Sequence, residues 1–174
     1  QDEQADLVHH GVYDKAINHY PIDHYGYWRE DVGEQSLLAR PGAFGENIST
    51  TGIIETEVCI GDRFRLGTAL LEISQGRPPC WKLGHRFKNA KVPELVVTSR
   101  KSGWYYRVIE PGQVRAGDNI MLVDRHWPQW SAADVFGLLI GGDGKNTPAL
   151  TCELAALPPL AASWKERANR LAAK

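Results

Sequence analysis

Short apolar runs follow one another closely between residues 53 and 124, and this spacing limits the folds open to the chain more than any other feature. The runs lie at 53–54, 58–60, 64–66, 69–73, 104–109 and 119–123. Gly61-Asp62 and Gly67-Thr68 separate neighbouring runs as turns would. Closely spaced short strands with turns between them are typical of a β-barrel or a β-sandwich.

Helical patterns interrupt the predicted strands and replace them near the C-terminus. Pro21 and Pro93 suit first helical positions, so we expect helices over 21–31 and 93–100, although the valines of the second segment also allow a strand. Ser131 with Asp134 is an N-terminal capping pattern, and helices are predicted at 131–140, 148–157 and 161–173. The predicted class is α+β and mainly β: a barrel with inserted helices over 1–127 and a small three-helix bundle over 128–174 that docks on it.

Composition and charge exclude several broad classes. Of 174 residues, 24% are charged and 43% are apolar, as in ordinary globular domains, so we do not expect a disordered chain. The net charge of −1 disfavours a dedicated nucleic-acid-binding protein, which usually carries a basic excess. No apolar run approaches the roughly 18 residues that a membrane helix needs, so we expect no membrane contact.

The chain holds three cysteines, Cys59, Cys80 and Cys152, which are too few and too scattered for a disulfide framework. Cys59 and Cys152 lie in apolar segments and are predicted to pack in the core. Unpaired cysteines favour a reducing compartment, so the cytoplasm is the expected location. Because the sequence begins with Gln1 and its one methionine is Met121, we expect a processed or truncated product rather than a chain that starts at its initiator.

Cys80 is the strongest candidate for chemistry because Arg77 and Lys82 flank it. Nearby cations favour the thiolate, which is the form that acts as a nucleophile or as a ligand of a soft metal. A buried, unreactive cysteine is the alternative that local chemistry leaves open. A cysteine protease would need a distant histidine, and no signature of such a family is present. The sequence also shows neither the HxxxH nor the CxxC spacing typical of zinc sites, although four histidines precede residue 25: His9, His10, His19 and His24.

Residues 42–52, called the glycine loop below, combine Gly42, Gly45 and Gly52 with hydrogen-bonding side chains. Such a loop brings backbone amides close to an anionic ligand, and a plain connection between barrel strands is the alternative. A second open question concerns an aromatic helix face. Its members, Tyr20, Tyr27 and Trp28, suit either an interaction surface or core packing.

Several motifs occur in the order and at the separations of one known family. They are Asp2-Glu-Gln-Ala-Asp6, Gly45-Glu-Asn-Ile-Ser-Thr-Thr-Gly52, Val58-Cys-Ile-Gly-Asp62, Arg77-Pro-Pro-Cys-Trp-Lys82, Gly103-Trp-Tyr-Tyr-Arg-Val-Ile109 and Ser163-Trp-Lys-Glu-Arg167. With them, nearly the whole chain resembles a MOSC domain, the C-terminal domain of molybdenum cofactor sulfurases, in its YiiM-like branch with a C-terminal three-helix domain. Val12 stands where the family commonly has glycine, and we expect the family's N-terminal barrel strands to be missing from this sequence.

The resemblance implies a β-barrel that binds the molybdenum cofactor. By its motif, Cys80 would ligate molybdenum and be the catalytic residue. Contacts to the pterin, its phosphate or the metal centre are implied for a set of polar residues: His10, Lys15, Glu46, Asn47, Arg77, Lys82 and Arg107. Pyridoxal phosphate binding is a further association of the family.

The resemblance also implies an activity. The protein would be an oxidoreductase that reduces N-hydroxylated bases or amines, such as 6-hydroxylaminopurine, to the parent compounds and so detoxifies them. An electron-donor protein, either a reductase or a flavoprotein, would be its partner, since the sequence shows no flavin, haem or iron–sulfur motif; a homodimer is also compatible. The alternative function is a non-catalytic carrier that holds the cofactor or a persulfide sulfur on Cys80.

Overall fold

Five antiparallel strands form one sheet in the computed structural model, which describes residues 13–33 and 35–173. The strands are β1 (Ile17–His19), β2 (Arg63–Leu66), β3 (Ala69–Gly76), β4 (Trp104–Glu110) and β5 (Ile120–Asp124). They lie in the order β1-β4-β3-β2-β5. β1 and β5 are therefore the two edges, and no pairing within the described ranges closes the sheet into a barrel.

β3 is the central strand, and its surroundings explain its sequence. All eight of its residues are buried, whereas β2 alternates between buried and half-buried positions. A strand covered on both faces is expected to be nearly continuously apolar, but β3 also buries three polar residues, Glu72, Ser74 and Gln75, each of which forms a hydrogen bond. Its last residue, Gly76, lies against the rings of Trp164 and Phe136, where an added Cβ would approach to 3.1 and 3.3 Å. The central strand thus ends beneath the C-terminal part of the chain.

Six α-helices surround the sheet in the described part of the chain. They are α1 (Tyr25–Val32), α2 (Trp81–Arg86), α3 (Val92–Ser99), α4 (Ala132–Phe136), α5 (Pro148–Ala155) and α6 (Ala162–Ala172). Pro93 lies in the first turn of α3, so the helical alternative for this segment is confirmed. The predicted helix at 21–31 begins as a 3-10 turn before α1. None of these helices is long and apolar enough to cross a membrane.

The α+β class is confirmed, with more residues in helices than in strands. The prediction of strands at 53–60 was wrong, because the backbone there bonds to turns and side chains rather than to a neighbouring strand. The Ile54 N–H donates to Glu57 Oε2 at 3.0 Å, and the Cys59 N–H donates to Asp62 Oδ2 at 2.7 Å. One isolated bridge, between Cys59 and Ser131, is the β pairing described for this segment.

Three helices follow residue 130, as predicted. The Ser131 hydroxyl accepts the Asp134 N–H at 3.0 Å, which confirms the capping pattern, and α4 continues into a π-helical turn that ends at Gly141. The core cluster runs through both parts of the chain, since Trp164 and Ala168 of α6 belong to it. The division into domains 1–127 and 128–174 remains a prediction.

Burial corrects one of the cysteine predictions. Cys59 is buried, as expected, but Cys152 is exposed. The buried residues of α5 are Thr151 and Leu154, which are three apart and share one helix face. Cys152 directly follows Thr151 in sequence and lies outside that face. The aromatic residues Tyr20 and Trp28 are fully buried, which favours core packing over an interaction surface for this group.

Candidate functional site

Cys80 lies where the central strand gives way to a helix. The Arg77 N–H donates to the Gly103 carbonyl at 3.0 Å and continues the sheet by one residue beyond β3. Pro78 and Pro79 follow, and proline cannot donate to the ladder, so the chain leaves the sheet in an extended conformation. Cys80 is the N-cap of α2, with φ −118° and ψ 136°. Residues 77–86, called the cysteine corner below, therefore form a stiff turn from β3 into α2.

A cavity of about 720 Å³ opens beside Cys80. Twelve residues line it: Lys15, Phe44, Gly45, Arg77, Pro78, Pro79, Cys80, Trp81, Lys82, Leu83, Arg86 and Tyr105. Its size lies within the range of about 300–1,000 Å³ that is usual for cofactor and ligand sites. The lining comes from four places in the sequence, since Lys15, the glycine loop and β4 contribute alongside the cysteine corner.

The cavity is strongly basic. Four of its lining residues, Lys15, Arg77, Lys82 and Arg86, carry positive charge, and no acidic side chain among the described residues lines it. The whole chain has a net charge of −1, so this concentration of cations is local. Such a cavity favours an anionic ligand, because guanidinium and ammonium groups form charge-assisted hydrogen bonds with phosphate and oxo oxygens.

Aromatic rings form part of the same wall. Phe44 is buried and stacks on Tyr20 with ring centroids 3.9 Å apart and planes 12° apart, so its position is fixed by the core. Tyr105 is also buried, whereas Trp81 is 66% exposed. A flat conjugated ligand gains both apolar contact and stacking from such side chains. The cavity thus combines charge for an anion with surfaces for a planar ring system.

Cys80 supplies the sulfur of this cavity and is half-buried. The other two cysteines lie outside the cavity lining. Burial, followed by the charge of Asp62, raises the pKa of the Cys59 thiol, which disfavours its reactive thiolate form. Within the ranges the structure describes, no three His, Cys, Asp or Glu side chains converge as an all-protein metal site would require.

Glu46 does not line the cavity, and its carboxylate holds the glycine loop together instead. It accepts the Gly42 N–H at 2.8 Å, the Phe44 N–H at 2.9 Å and the Tyr25 hydroxyl at 2.6 Å. Burial, followed by this hydrogen bond from the phenol, raises the pKa of Tyr25 well above its usual value. The side chain expected to contact the pterin is therefore engaged within the protein.

Asn47 and Arg107 also lie outside the cavity lining. Asn47 Oδ1 accepts the Asn18 N–H at 2.8 Å, which ties the glycine loop to β1. Arg107 forms ion pairs with Asp14 at 2.8 Å and Glu72 at 3.2 Å, within the protein. His10 lies outside the described residues. Of the predicted site residues, the structure brings Lys15, Arg77, Cys80 and Lys82 together.

Eight lining residues were not predicted as site residues, and four of them have aromatic or charged side chains: Phe44, Trp81, Arg86 and Tyr105. Arg86 had a usable signal, because it lies four residues after Lys82 on α2 and so shares a helix face with it. It also donates to the carbonyls of Ala43 at 2.6 Å and Gly42 at 2.7 Å, and so connects α2 to the glycine loop. Phe44 and Tyr105 carried no local signal, since only tertiary structure turns a buried aromatic side chain towards a cavity.

The fold and the cavity define an α+β protein with a cationic cavity that a cysteine helps to line. The chain belongs to the MOSC domain family, which it matches over residues 6–121. It is 46% identical over 124 residues to protein YiiM of Escherichia coli (strain K12), covering 71% of this chain and 55% of that protein. The uncharacterised protein YflK of Bacillus subtilis (strain 168) is 44% identical over 127 residues, with the same two shares.

A further relative, a fungal protein, carries an activity in its name. The protein called "Reductase" from Gibberella moniliformis (strain M3125 / FGSC 7600) is 39% identical over 135 residues, which are 77% of this chain and 24% of that protein. The chain spans about half the length of the two bacterial relatives and about a quarter of the fungal one.

Solved structures agree with this assignment. YiiM from Geobacillus stearothermophilus superimposes with a TM-score of 0.86 at 36% identity, covering 93% of this chain and 80% of that one. YiiM from Escherichia coli gives a TM-score of 0.83 at 34% identity, covering 92% and 78%.

Proposed function

We propose that the chain is part of a molybdenum-cofactor-dependent reductase that acts on N-hydroxylated bases or amines in the cytoplasm. One observation carries this proposal: a half-buried thiol, Cys80, lies in a cavity with four cationic lining residues and no acidic one among those described. Membership of the MOSC family and a relative named "Reductase" support it.

The residues present fit such a cofactor. Cys80 Sγ is a soft donor suited to molybdenum, and the protein would supply one ligand while the pterin supplies others. Arg77, Lys82 and Arg86 would offset the charge of the phosphate and of the oxo groups. Phe44 and Tyr105 would contact the flat pterin ring. When bound, the cofactor supplies a metal that changes its oxidation state by two electrons.

The proposed reaction balances with simple reactants. The N–O bond of the N-hydroxylated compound breaks, the substrate takes up two electrons and two protons, and the products are the parent amine or base and water. The chain would hold the anionic cofactor with its cations and limit the access of water with Phe44 and Tyr105. The electrons would come from a reduced reductase or flavoprotein, which is the partner we propose.

Comparison of two cysteine variants tests this function. Cys80→Ser is expected to lose both bound molybdenum, measured by metal analysis and pterin fluorescence, and reduction of 6-hydroxylaminopurine by a viologen dye kept reduced with dithionite. Cys152→Ser is the matched control, because the same atom is changed at an exposed site outside the cavity. Full molybdenum and full turnover in Cys80→Ser would reject the proposal.

The same experiment separates a reductase from a carrier. A carrier would bind about one molybdenum per chain through Cys80 and show no turnover with any reductant. Transfer of radioactive sulfur to Cys80, again with Cys152→Ser as the control, would then identify persulfide chemistry. A half-exposed Cys80 suits both functions. Turnover of the N-hydroxylated substrate therefore distinguishes a reductase from a carrier.

A further inference from the structure

A second basic feature lies just outside the cavity, on the far side of α2. Between Glu72 and Glu94 the sequence has five Lys or Arg residues and no acidic residue. Two of the five, Lys88 and Lys91, do not line the cavity and are exposed. These two charges therefore lie outside the cavity lining, and residues 73–93 contain no acidic partner for them.

Lys88 lines a shallow depression of about 460 Å³ that shares Trp81 with the cavity, and Lys91 directly follows another of its lining residues, Ala90. The depression is lined by Trp81, Gly84, His85, Lys88, Asn89, Ala90 and Pro93, none of which is buried. Sites for small molecules usually enclose most of the ligand surface, and an open depression cannot do so. A surface of this kind suits contact with another macromolecule.

The exposed residues there resemble those of protein interfaces. Trp81 exposes 66% of its surface, and its indole meets the His85 ring edge to face with centroids 5.1 Å apart. Exposed tryptophan is enriched at the energetic centres of interfaces, and a rim of charges sets the partner and the association rate. Trp81, His85, Lys88 and Lys91 together are called the basic face below.

The turn that carries the lysines is held in one conformation. Lys88 adopts a left-handed conformation with φ 52°, and the next N–H, of Asn89, donates to the Gly84 carbonyl at 2.9 Å. The Lys91 N–H donates to Asn89 Oδ1 at 3.0 Å. A preformed turn loses little conformational freedom on binding, which favours association.

We infer that the basic face is the docking surface for an acidic redox protein that delivers the electrons for the reduction proposed above, on which this inference rests. The charge is complementary to an acidic protein surface, and Trp81 belongs both to the basic face and to the cavity wall. Two encounters with a one-electron donor, such as a reduced flavodoxin, would supply the two electrons that break one N–O bond. Each donor molecule leaves oxidised by one electron, and the protons come from water.

A nucleic acid is the other polyanion that a basic surface attracts. The net charge of −1 for the whole chain disfavours it, because nucleic-acid-binding proteins usually carry an overall basic excess. The depression also shares Trp81 with the cavity wall, so a redox protein bound there would be close to the cavity. The proposed reaction needs such an electron donor and does not need a nucleic acid polymer. An acidic electron donor is therefore the partner that the observations favour.

Direct binding of oxidised, acidic flavodoxin to the purified full chain tests the inference without relying on turnover. Micromolar binding is expected at about 20 mM salt and its loss at about 300 mM, since exposed charge pairs are screened over the Debye length. Lys88→Glu with Lys91→Glu should weaken binding by about tenfold or more. The matched control, Arg115→Glu with Lys145→Glu, reverses two exposed charges elsewhere and should stay within about twofold. If the first pair fails to fold, Lys88→Gln with Lys91→Gln replaces it.

Unchanged affinity in the Lys88/Lys91 variant, or an equal loss in the control, would overturn the docking surface. Tighter binding of a short single-stranded DNA than of flavodoxin, lost in the same variant, would also overturn it. With viologen as the reductant, the Lys88/Lys91 variant should turn over like the wild type, while its KM for flavodoxin rises. Absence of viologen turnover in the wild type is a failure of the proposed function, and it leaves the binding result to be judged separately.

Discussion

The glycine loop and the cysteine corner both line the cavity, yet their polar side chains differ in whether they belong to the cavity lining. In the glycine loop, Glu46 and Asn47 bond to backbone groups of the protein itself. In the cysteine corner, Arg77, Cys80 and Lys82 lie on the cavity wall. The glycine-rich segment is held in shape by bonds from Glu46 and Asn47, whereas prolines and a helix hold the cysteine corner and place its side chains on the cavity wall.

The strongest test of this difference is Glu46→Ala compared with Cys80→Ser. Loss of Glu46 leaves two N–H groups and a tyrosine hydroxyl without their acceptor, so the free energy of unfolding should fall by about 3 kcal/mol. Cys80→Ser, at a half-exposed site, should change it by less than about 0.5 kcal/mol. Urea denaturation measures both values. Equal effects of the two substitutions would contradict the proposed difference between the regions.

His19 of β1 contacts the glycine loop, and its protonation should make the stability of the protein depend on pH. His19 is fully buried and hydrogen-bonds Thr50 of the glycine loop at 2.8 Å, and burial lowers its pKa from 6.5 to about 3. Between these values the unfolded chain binds a proton that the folded chain does not. The contribution of His19 is therefore fully present above pH 6.5 and is lost as the pH falls towards 3, by up to roughly 1.4 kcal/mol per pH unit.

Denaturation of the wild type and of His19→Gln across this pH range measures that slope. The carboxylates are common to both proteins, so their contribution cancels in the difference. The difference in the free energy of unfolding should change by about 2–3 kcal/mol over the first two pH units below 6.5. A difference that stays flat with pH would contradict a neutral, buried His19.

Arg86 connects the two regions, and its removal should have an intermediate effect. Its guanidinium donates to the carbonyls of Ala43 and Gly42, so Arg86→Ala should lower the free energy of unfolding by about 1–2 kcal/mol. Because Glu46 accepts the Gly42 N–H, the two substitutions should be non-additive in a double-mutant cycle. Arg86→Lys keeps the charge but not the two-carbonyl contact, so it should recover only part of the loss. Simple additivity would show that the regions are independent.

The smallest expected effect is at Lys88, two residues after the cysteine corner. Lys88 is left-handed with φ 52°, so Lys88→Gly should raise the free energy of unfolding by about 0.5 kcal/mol, because glycine adopts this conformation without strain. Arg100, with φ 58°, is the matched position, but it forms an ion pair with Asp143 at 2.7 Å. Arg100→Gly should therefore give less or none of this gain. Thermal unfolding of both variants checks the order.

Local signals predicted much of the fold, and four of the eight predicted site residues line the cavity. Helix-starting prolines and the Ser131 cap identified helices, because these signals act within one turn of the chain. The segment at 53–60 was predicted as strand from its apolar residues, but two of its backbone N–H groups bond to the side chains of Glu57 and Asp62. In the site, Arg77 and Lys82 were found because they neighbour Cys80 in sequence. Arg86 and Tyr105 were missed because their place at the cavity depends on the packing of α2 and β4.

The sequence by itself determined the family, the α+β class and the choice of Cys80, since motif order and the basic neighbours of a cysteine are properties of the chain. Tertiary structure alone decided which polar side chains reach the cavity. Glu46 looks like a ligand in sequence, yet its carboxylate accepts the backbone N–H groups of Gly42 and Phe44. The physical reason is that a polar group inside a folded protein bonds to whichever partner lies within reach, and reach is set by contacts between residues distant in sequence.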